Sequence, residues 1–168
     1  AVVMVEVESG EIVAYCGNSD MSFEREGKWV DIARANRSSG SILKPLLYTV
    51  ALQEGIILPE TLLPDVPTDF RGFTPKNFDG TYAGAIAADE ALALSLNIPN
   101  VHLLKAYGVA RFAETLQRAG FVSLNRSTDK YGLSLVLGGA EVCLCDVVSC
   151  YARMAACYID TTAYAEFP

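Results

Sequence analysis

The chain of 168 residues has a single histidine, a single tryptophan, and only 13 lysines and arginines against 20 aspartates and glutamates, for a net charge of −7. Affinity for nucleic acid rests on Lys and Arg displacing counterions from phosphates, so without a basic block no nucleic-acid partner is expected. No apolar run approaches the ~18 residues that span a bilayer, and the long Ala/Leu-rich stretch is cut by Asp89 and Glu90. No membrane contact by this segment is expected. The five cysteines, Cys16, Cys143, Cys145, Cys150 and Cys157, include no C-x-x-C pair, and His102 lies far from them in sequence, which argues against a zinc site. There is no Gly-rich phosphate loop, so neither a metal nor a nucleotide cofactor is expected. The chain opens on Ala1 and runs straight into apolar residues, with no initiator Met and no signal peptide. That reads as a piece of a larger protein.

Against these absences stands a hydrophobic content of 51%, enough for one domain with a real core. Residues 2–8 and 11–16 are rich in Val and Ile and flank Ser9-Gly10, which predicts a β-hairpin. Residues 17–36 read as a polar loop. After Gly40, the spacing of Ile42, Leu43, Leu46, Leu47, Val50, Ala51 and Leu52 predicts a helix that stops at Gly55. The prolines Pro59, Pro64, Pro67 and Pro75 keep residues 58–80 out of long regular elements, with Phe70, Phe73 and Phe78 expected as apolar anchors. Helices are expected over residues 85–94, 100–107, 109–119 and 141–158, with no repeat and no second domain. Cys143, Cys150 and Cys157 recur every seven residues and share a helical face with Val147 and Met154, as packing residues do. Two of them cannot bridge within one helix, because seven residues rise ~10.5 Å and a disulfide tolerates at most ~7 Å.

Chemistry concentrates in Arg37-Ser38-Ser39-Gly40-Ser41-Ile42-Leu43-Lys44-Pro45. A serine at a helix start with a lysine three residues on places both side chains on one face. A buried lysine can take the serine's proton, and the helix N-terminus favours negative charge developing on a carbonyl oxygen. Gly40 lets a substrate backbone approach closely. Pro45 fits poorly, since it cannot donate to the Ser41 carbonyl. The S-x-x-K pattern alone is weak: on the order of one is expected by chance in such a chain. A second one, Ser127-Thr128-Asp129-Lys130, stands in a polar stretch and reads as a loop, and Ser95-Leu96-Asn97 has a decoy in Ser123-Leu124-Asn125. Ser41 and Lys44 are distinguished by the helix that follows them, and Ser95 and Asn97 by the helical segment they close.

With S-x-x-K followed by S-x-N, the sequence resembles the penicillin-binding protein and serine β-lactamase superfamily. The nucleophile segment, Pro64-Asp65-Val66-Pro67, Pro75-Lys76-Asn77-Phe78-Asp79-Gly80, Glu90-Ala91-Leu92 through Pro99, and Gly132 through Gly138-Gly139 resemble, in order, the class A penicillin-binding proteins. The resemblance implies an α+β fold of the β-lactamase/transpeptidase type, an N-terminal antiparallel hairpin followed by a mostly helical part. It implies a peptidoglycan D,D-transpeptidase acting on stem peptides ending in D-Ala-D-Ala and acylated by β-lactams at Ser41. Lys44 would be the base, Ser95 a proton relay, and Asn97 an amide holding Lys44 and the substrate backbone. The setting implied is periplasmic, with the parent protein anchored in the inner membrane.

The third family motif, K-T-G or a variant of it, is absent from the 168 residues, and Lys130-Tyr131-Gly132 is rejected because it precedes Gly138-Gly139. The expectation is a partial transpeptidase domain, residues 1–168, whose sheet lacks its C-terminal strands and which has little or no turnover. Its hairpin would expose an edge open to self-association. The alternatives are a non-catalytic module binding peptidoglycan or a partner, and a β-lactamase. The latter lacks a convincing deacylating glutamate, Glu90 reading as a surface or capping charge. A Ser-His-Asp hydrolase is disfavoured by His102, which reads as a partly buried structural residue, and by the absence of G-x-S-x-G.

Overall fold

The computed structural model describes residues 1–18, 29–127 and 131–159. In chain order the elements are β1 (Val2–Val5), β2 (Ile12–Cys16), β3 (Arg37–Ser38), α1 (Lys44–Gln53), β4 (Leu62–Asp65), β5 (Gly84–Ala87), α2 (Ala88–Ala93), α3 (Asn97–Tyr107), α4 (Val109–Arg118), a 3₁₀ helix (Leu133–Leu137), β6 (Glu141–Val142) and α5 (Leu144–Ile159). This is a mixed α+β chain with small antiparallel sheets. It divides into two compact units, one of Ala1–Arg37, Thr115–Asn125 and Glu141–Pro168, the other of Ser38–Glu114 and Arg126–Ala140.

In the first unit β1 and β2 pair antiparallel from Val2↔Cys16 to Val5↔Ile12, with an irregularity between Met4 and Val5. The turn is wider than Ser9-Gly10 alone: Gly10 N–H donates to Glu6 O (2.9 Å) and Glu6 N–H to Glu11 O (2.9 Å). β1 packs on α5. Along α5, Val147 and Cys150 are buried, while Cys157 is half-buried. Cys143, just ahead of the helix, donates to Ala33 O. Residues 141–143, expected to be helical, instead form β6 and the approach to α5.

The second unit carries the site. α1 buries Leu46, Leu47, Val50 and Ala51, one face at helical spacing. β4 and β5 pair antiparallel, Leu62↔Ala87 through Asp65↔Gly84. This corrects one expectation: residues 85–87 are strand rather than helix, and their partner is a four-residue strand inside the proline-rich stretch. Alanine has little strand preference of its own, so the pairing is a tertiary effect, and Pro64 is tolerated because it lies in a two-stranded sheet. α3 starts at Asn97, three residues earlier than expected. Pro99 falls in its first turn, where a missing N–H needs no intrahelical partner. Ile98, Val101, Leu103 and Leu104 of α3 are buried, and α3 packs on α1, β4 and the 3₁₀ helix. Phe70 is buried and bridges Phe73, but Phe78 is fully exposed and anchors nothing.

Candidate active site

The segment before α1 is tied to the chain beyond the 3₁₀ helix. Ser39 N–H donates to Ala140 O (3.0 Å) and the Ser38 hydroxyl to Gly138 O (2.9 Å). Gly138 has φ +99°, and a Cβ there would meet Ser38 Oγ at 2.5 Å and Gly40 N at 2.9 Å. Gly139 has no room either, since a Cβ would meet Ser134 Oγ at 2.2 Å. The two glycines therefore let one backbone lie directly on another.

Ser41 does not lie inside the helix. Gly40 turns with φ +54°, and two successive i→i+3 bonds follow, Ile42 N–H to Ser39 O (3.2 Å) and Lys44 N–H to Ser41 O (3.1 Å). Such a turn sets residues i and i+3 on one face, which places Ser41 one turn ahead of Lys44. The early turn also accommodates Pro45: the Ser41 carbonyl takes its hydrogen from Lys44, and the proline sits in the first turn of α1. Ser41 is exposed, with open space beside Gly40. Among the described residues its hydroxyl joins no hydrogen bond, with Lys44 or otherwise.

Lys44 is 1% exposed. Its Nζ lies 2.7 Å from Ser95 O, 2.8 Å from Asn97 Oδ1 and 3.2 Å from Ser95 Oγ. The two nearer atoms are carbonyl oxygens, which only accept. A neutral amine satisfies both with its two N–H groups and keeps a lone pair for a hydroxyl proton, whereas an ammonium uses Ser95 Oγ as its third acceptor. Both protonation states are housed, as a group that takes and returns a proton requires. Burial lowers the Lys44 pKa from 10.5 to about 8, and no charged neighbour contributes.

Ser95 holds two of those contacts because its backbone is left-handed, φ +52°. That conformation is strained for a residue with a side chain, and it presents both carbonyl and hydroxyl to one ammonium. Ser95 thus lies in a bend between α2 and α3 rather than at the end of a continuous helix. Asn97 Oδ1 faces Lys44 while its Nδ2 donates to Lys76 O (2.7 Å), leaving one amide proton for another acceptor.

Sequence reasoning picked out Lys44, Ser95 and Asn97, which are joined, and Ser41 and Gly40 one turn away. It missed the functional place of Lys76 and Asn77, quoted only as part of the resemblance. The signal was an asparagine in a turn-rich stretch, which by itself reads as local turn chemistry. His102 is half-buried, edge-on to Phe70 (centroids 4.9 Å) and 3.3 Å from Thr68 Oγ1. Burial, then Lys105, pushes its pKa down. The decoy lysine pattern reaches past the described residues at Thr128, Asp129 and Lys130, as does the tail from Asp160. No group of three or more potential metal ligands occurs among the described residues.

A serine turn ahead of a helix thus stands one turn from a buried lysine that faces an S-x-N bend. The chain belongs to the penicillin-binding protein transpeptidase domain family, whose model matches residues 1–136. Its relatives are class A proteins. It is 38% identical over 155 residues to penicillin-binding protein 1C of Escherichia coli K12, covering 92% of this chain and 20% of that protein. To penicillin-binding protein 1A of the same organism it is 34% identical over 161 residues, 92% of this chain and 18% of that one. The chain thus spans about a fifth of the length of these relatives. Among solved structures it resembles PonA1 of Mycobacterium tuberculosis in complex with penicillin V, with a TM-score of 0.78 and 26% identity over 92% of this chain and 42% of that one. Penicillin-binding protein 1A of Haemophilus influenzae matches with a TM-score of 0.73 and 28% identity, over 89% and 22% respectively. No helix among the described residues is long and apolar enough to cross a membrane.

Proposed function

We propose that this chain carries the nucleophile half of a peptidoglycan D,D-transpeptidase site, facing the periplasm in a membrane-anchored parent. The observation that carries the reading is the buried Lys44 amine bonded to Ser95 and Asn97 one turn beyond Ser41. Ser41 Oγ attacks the carbonyl of the penultimate D-Ala of a stem peptide and its proton passes to Lys44. The C–N bond to the terminal D-Ala breaks, with a proton delivered to the leaving amine through Ser95. The amine of a neighbouring stem then attacks the ester, loses its proton along the same route and frees Ser41. Asn97 keeps Lys44 in place and offers its remaining amide proton to the substrate backbone. A β-lactam enters by the same attack and stays on Ser41, in keeping with the penicillin V complex of the PonA1 relative.

The chain contains no K-T-G. In the resembled family that strand binds the substrate carboxylate and supplies an oxyanion N–H, and loss of one such donor costs ~3 to 4 kcal/mol in hydrolases. These 168 residues alone therefore have little or no turnover and act as a binding half-site. The test is release of D-Ala from an N-acyl-D-Ala-D-Ala peptide in the presence of an acceptor amine, using the chain and a version lengthened by a strand carrying K-T-G. Release by the lengthened form, abolished by Ser41→Ala, is expected. A folded lengthened form that releases nothing overturns the transpeptidase reading in favour of a non-catalytic module.

A further inference from the structure

We infer that Asn77, oriented by Asp65, is the positioning residue that sets the Asn97 amide against Lys44; the inference rests on the reading of Lys44, Ser95 and Asn97 given above. Asp65 is 1% exposed and Asn77 4%. Asp65 Oδ1 accepts from Asn77 Nδ2 (2.7 Å), and Asp65 Oδ2 accepts from Ala83 N–H (2.8 Å). Asn77 Nδ2 also donates to Thr81 O (2.9 Å). A carboxylate only accepts, so Nδ2 must face it, and Asn77 Oδ1 is left pointing the other way. There it accepts from Asn97 N–H (2.9 Å) and Ile98 N–H (3.3 Å), the first two of α3.

Those two groups need an outside partner. The residue flanking α3 is Leu96, which makes no side-chain cap. Asn77 supplies it from 20 residues upstream. Its neighbour Lys76 turns a carbonyl on Asn97 Nδ2 (2.7 Å), and a carbonyl cannot accept from Oδ1, so Oδ1 is the atom presented to Lys44. Two consecutive loop residues thus fix Asn97 twice, Asn77 its backbone and Lys76 the sense of its amide. Asp65 fixes the sense of Asn77.

The test is a charge swap. Asn77→Asp sets two carboxylates against each other across a 2.7 Å contact. Asp65→Asn turns an amide N–H₂ on either Ala83 N–H or Asn77 Nδ2. The double variant restores a donor facing an acceptor between positions 65 and 77 and at Ala83 N–H, and leaves a carboxylate oxygen at position 77 against Thr81 O, the one contact it does not rebuild. The Cε resonance of Lys44 is titrated in chains carrying ¹³C-labelled lysine. The wild type is expected to titrate at about 8. Each single variant is expected to shift from that value by about one unit or more as the Asn97 acceptor is withdrawn from Nζ and water enters, and the double to return most of the way to the wild type. Folded single variants that titrate with the wild type reduce Asn77 to a helix cap and overturn the inference. So does a double variant whose midpoint is no nearer the wild type than those of the single variants, or that stays unfolded. Should the single variants not fold, the double alone decides. A wild-type midpoint near 10.5 would count against Lys44 as a base. The positioning role is then read from hydrogen exchange of the Asn97 side-chain amide, slow in the wild type and double variant and fast in the single variants; equal rates in all four overturn it.

Discussion

At Lys44 hydrogen bonding and burial pull in opposite directions. Three acceptors around Nζ suit an ammonium, while exclusion of water disfavours it, and burial prevails with a pKa of about 8. At pH 7 about a tenth of the molecules carry the free amine. Acylation of a form competent to react should therefore rise about tenfold from pH 6 to pH 7 and level off above pH 8, measured as the initial rate of penicillin adduct formation. A rate flat across that range would mean that another group takes the serine proton. The same shift acts on stability. The folded pKa lies below the unfolded value of 10.5, so between about 8 and 10.5 the unfolded chain binds more protons and stability rises with pH. Urea unfolding at pH 7.5 and pH 9.5 should show that rise in the wild type and a smaller one in Lys44→Met. Ser41, Lys44, Ser95 and Asn97 are legible in sequence because their spacing is local and their context helical. Asn77 is not, since its partners Asp65 and Asn97 come to it through tertiary structure.

At the scale of elements, Gly138-Gly139 holds the nucleophile turn by backbone contact. Gly138→Ala combines a positive φ with contacts of 2.5 Å to Ser38 Oγ and 2.9 Å to Gly40 N. It should cost about 2 kcal/mol or more in urea unfolding. Gly10→Ala also has a positive φ, +71°, but meets nothing within 4 Å, and should cost about 1 kcal/mol. Equal losses at the two sites would remove the argument from close approach. Helix α1 and the β1–β2 hairpin are readable from periodicity because their patterns are self-contained. β5 is not: its Gly-Ala-Ile-Ala sequence becomes a strand only by pairing with β4, whose proline disguises it. The start of α3 was obscured by Pro99, whereas the break after residue 94 was expected and only the left-handed backbone of Ser95 was not.

At the scale of the whole molecule, the described part of the sheet formed by β1 has two strands. Ile12, Val13 and Tyr15 of β2 are 54%, 60% and 42% exposed, so apolar side chains on both faces of the strand meet solvent. The chain alone should self-associate through this strand, with a mass by light scattering that rises with concentration and falls back in Val13→Lys. A strictly monomeric chain across a wide range would contradict this. The central claim, that Ser41 is the nucleophile, is tested most directly by locating a penicillin adduct. The chain lengthened by a strand carrying K-T-G is incubated with a penicillin, digested with trypsin and mapped by mass. Cleavage after Arg37 and Arg71, with the Lys44–Pro45 bond resisting, yields one peptide of residues 38–71. The penicilloyl mass is expected on Ser41 in that peptide and is expected to be lost in Ser41→Ala. An adduct elsewhere, or none on the folded protein, would contradict it.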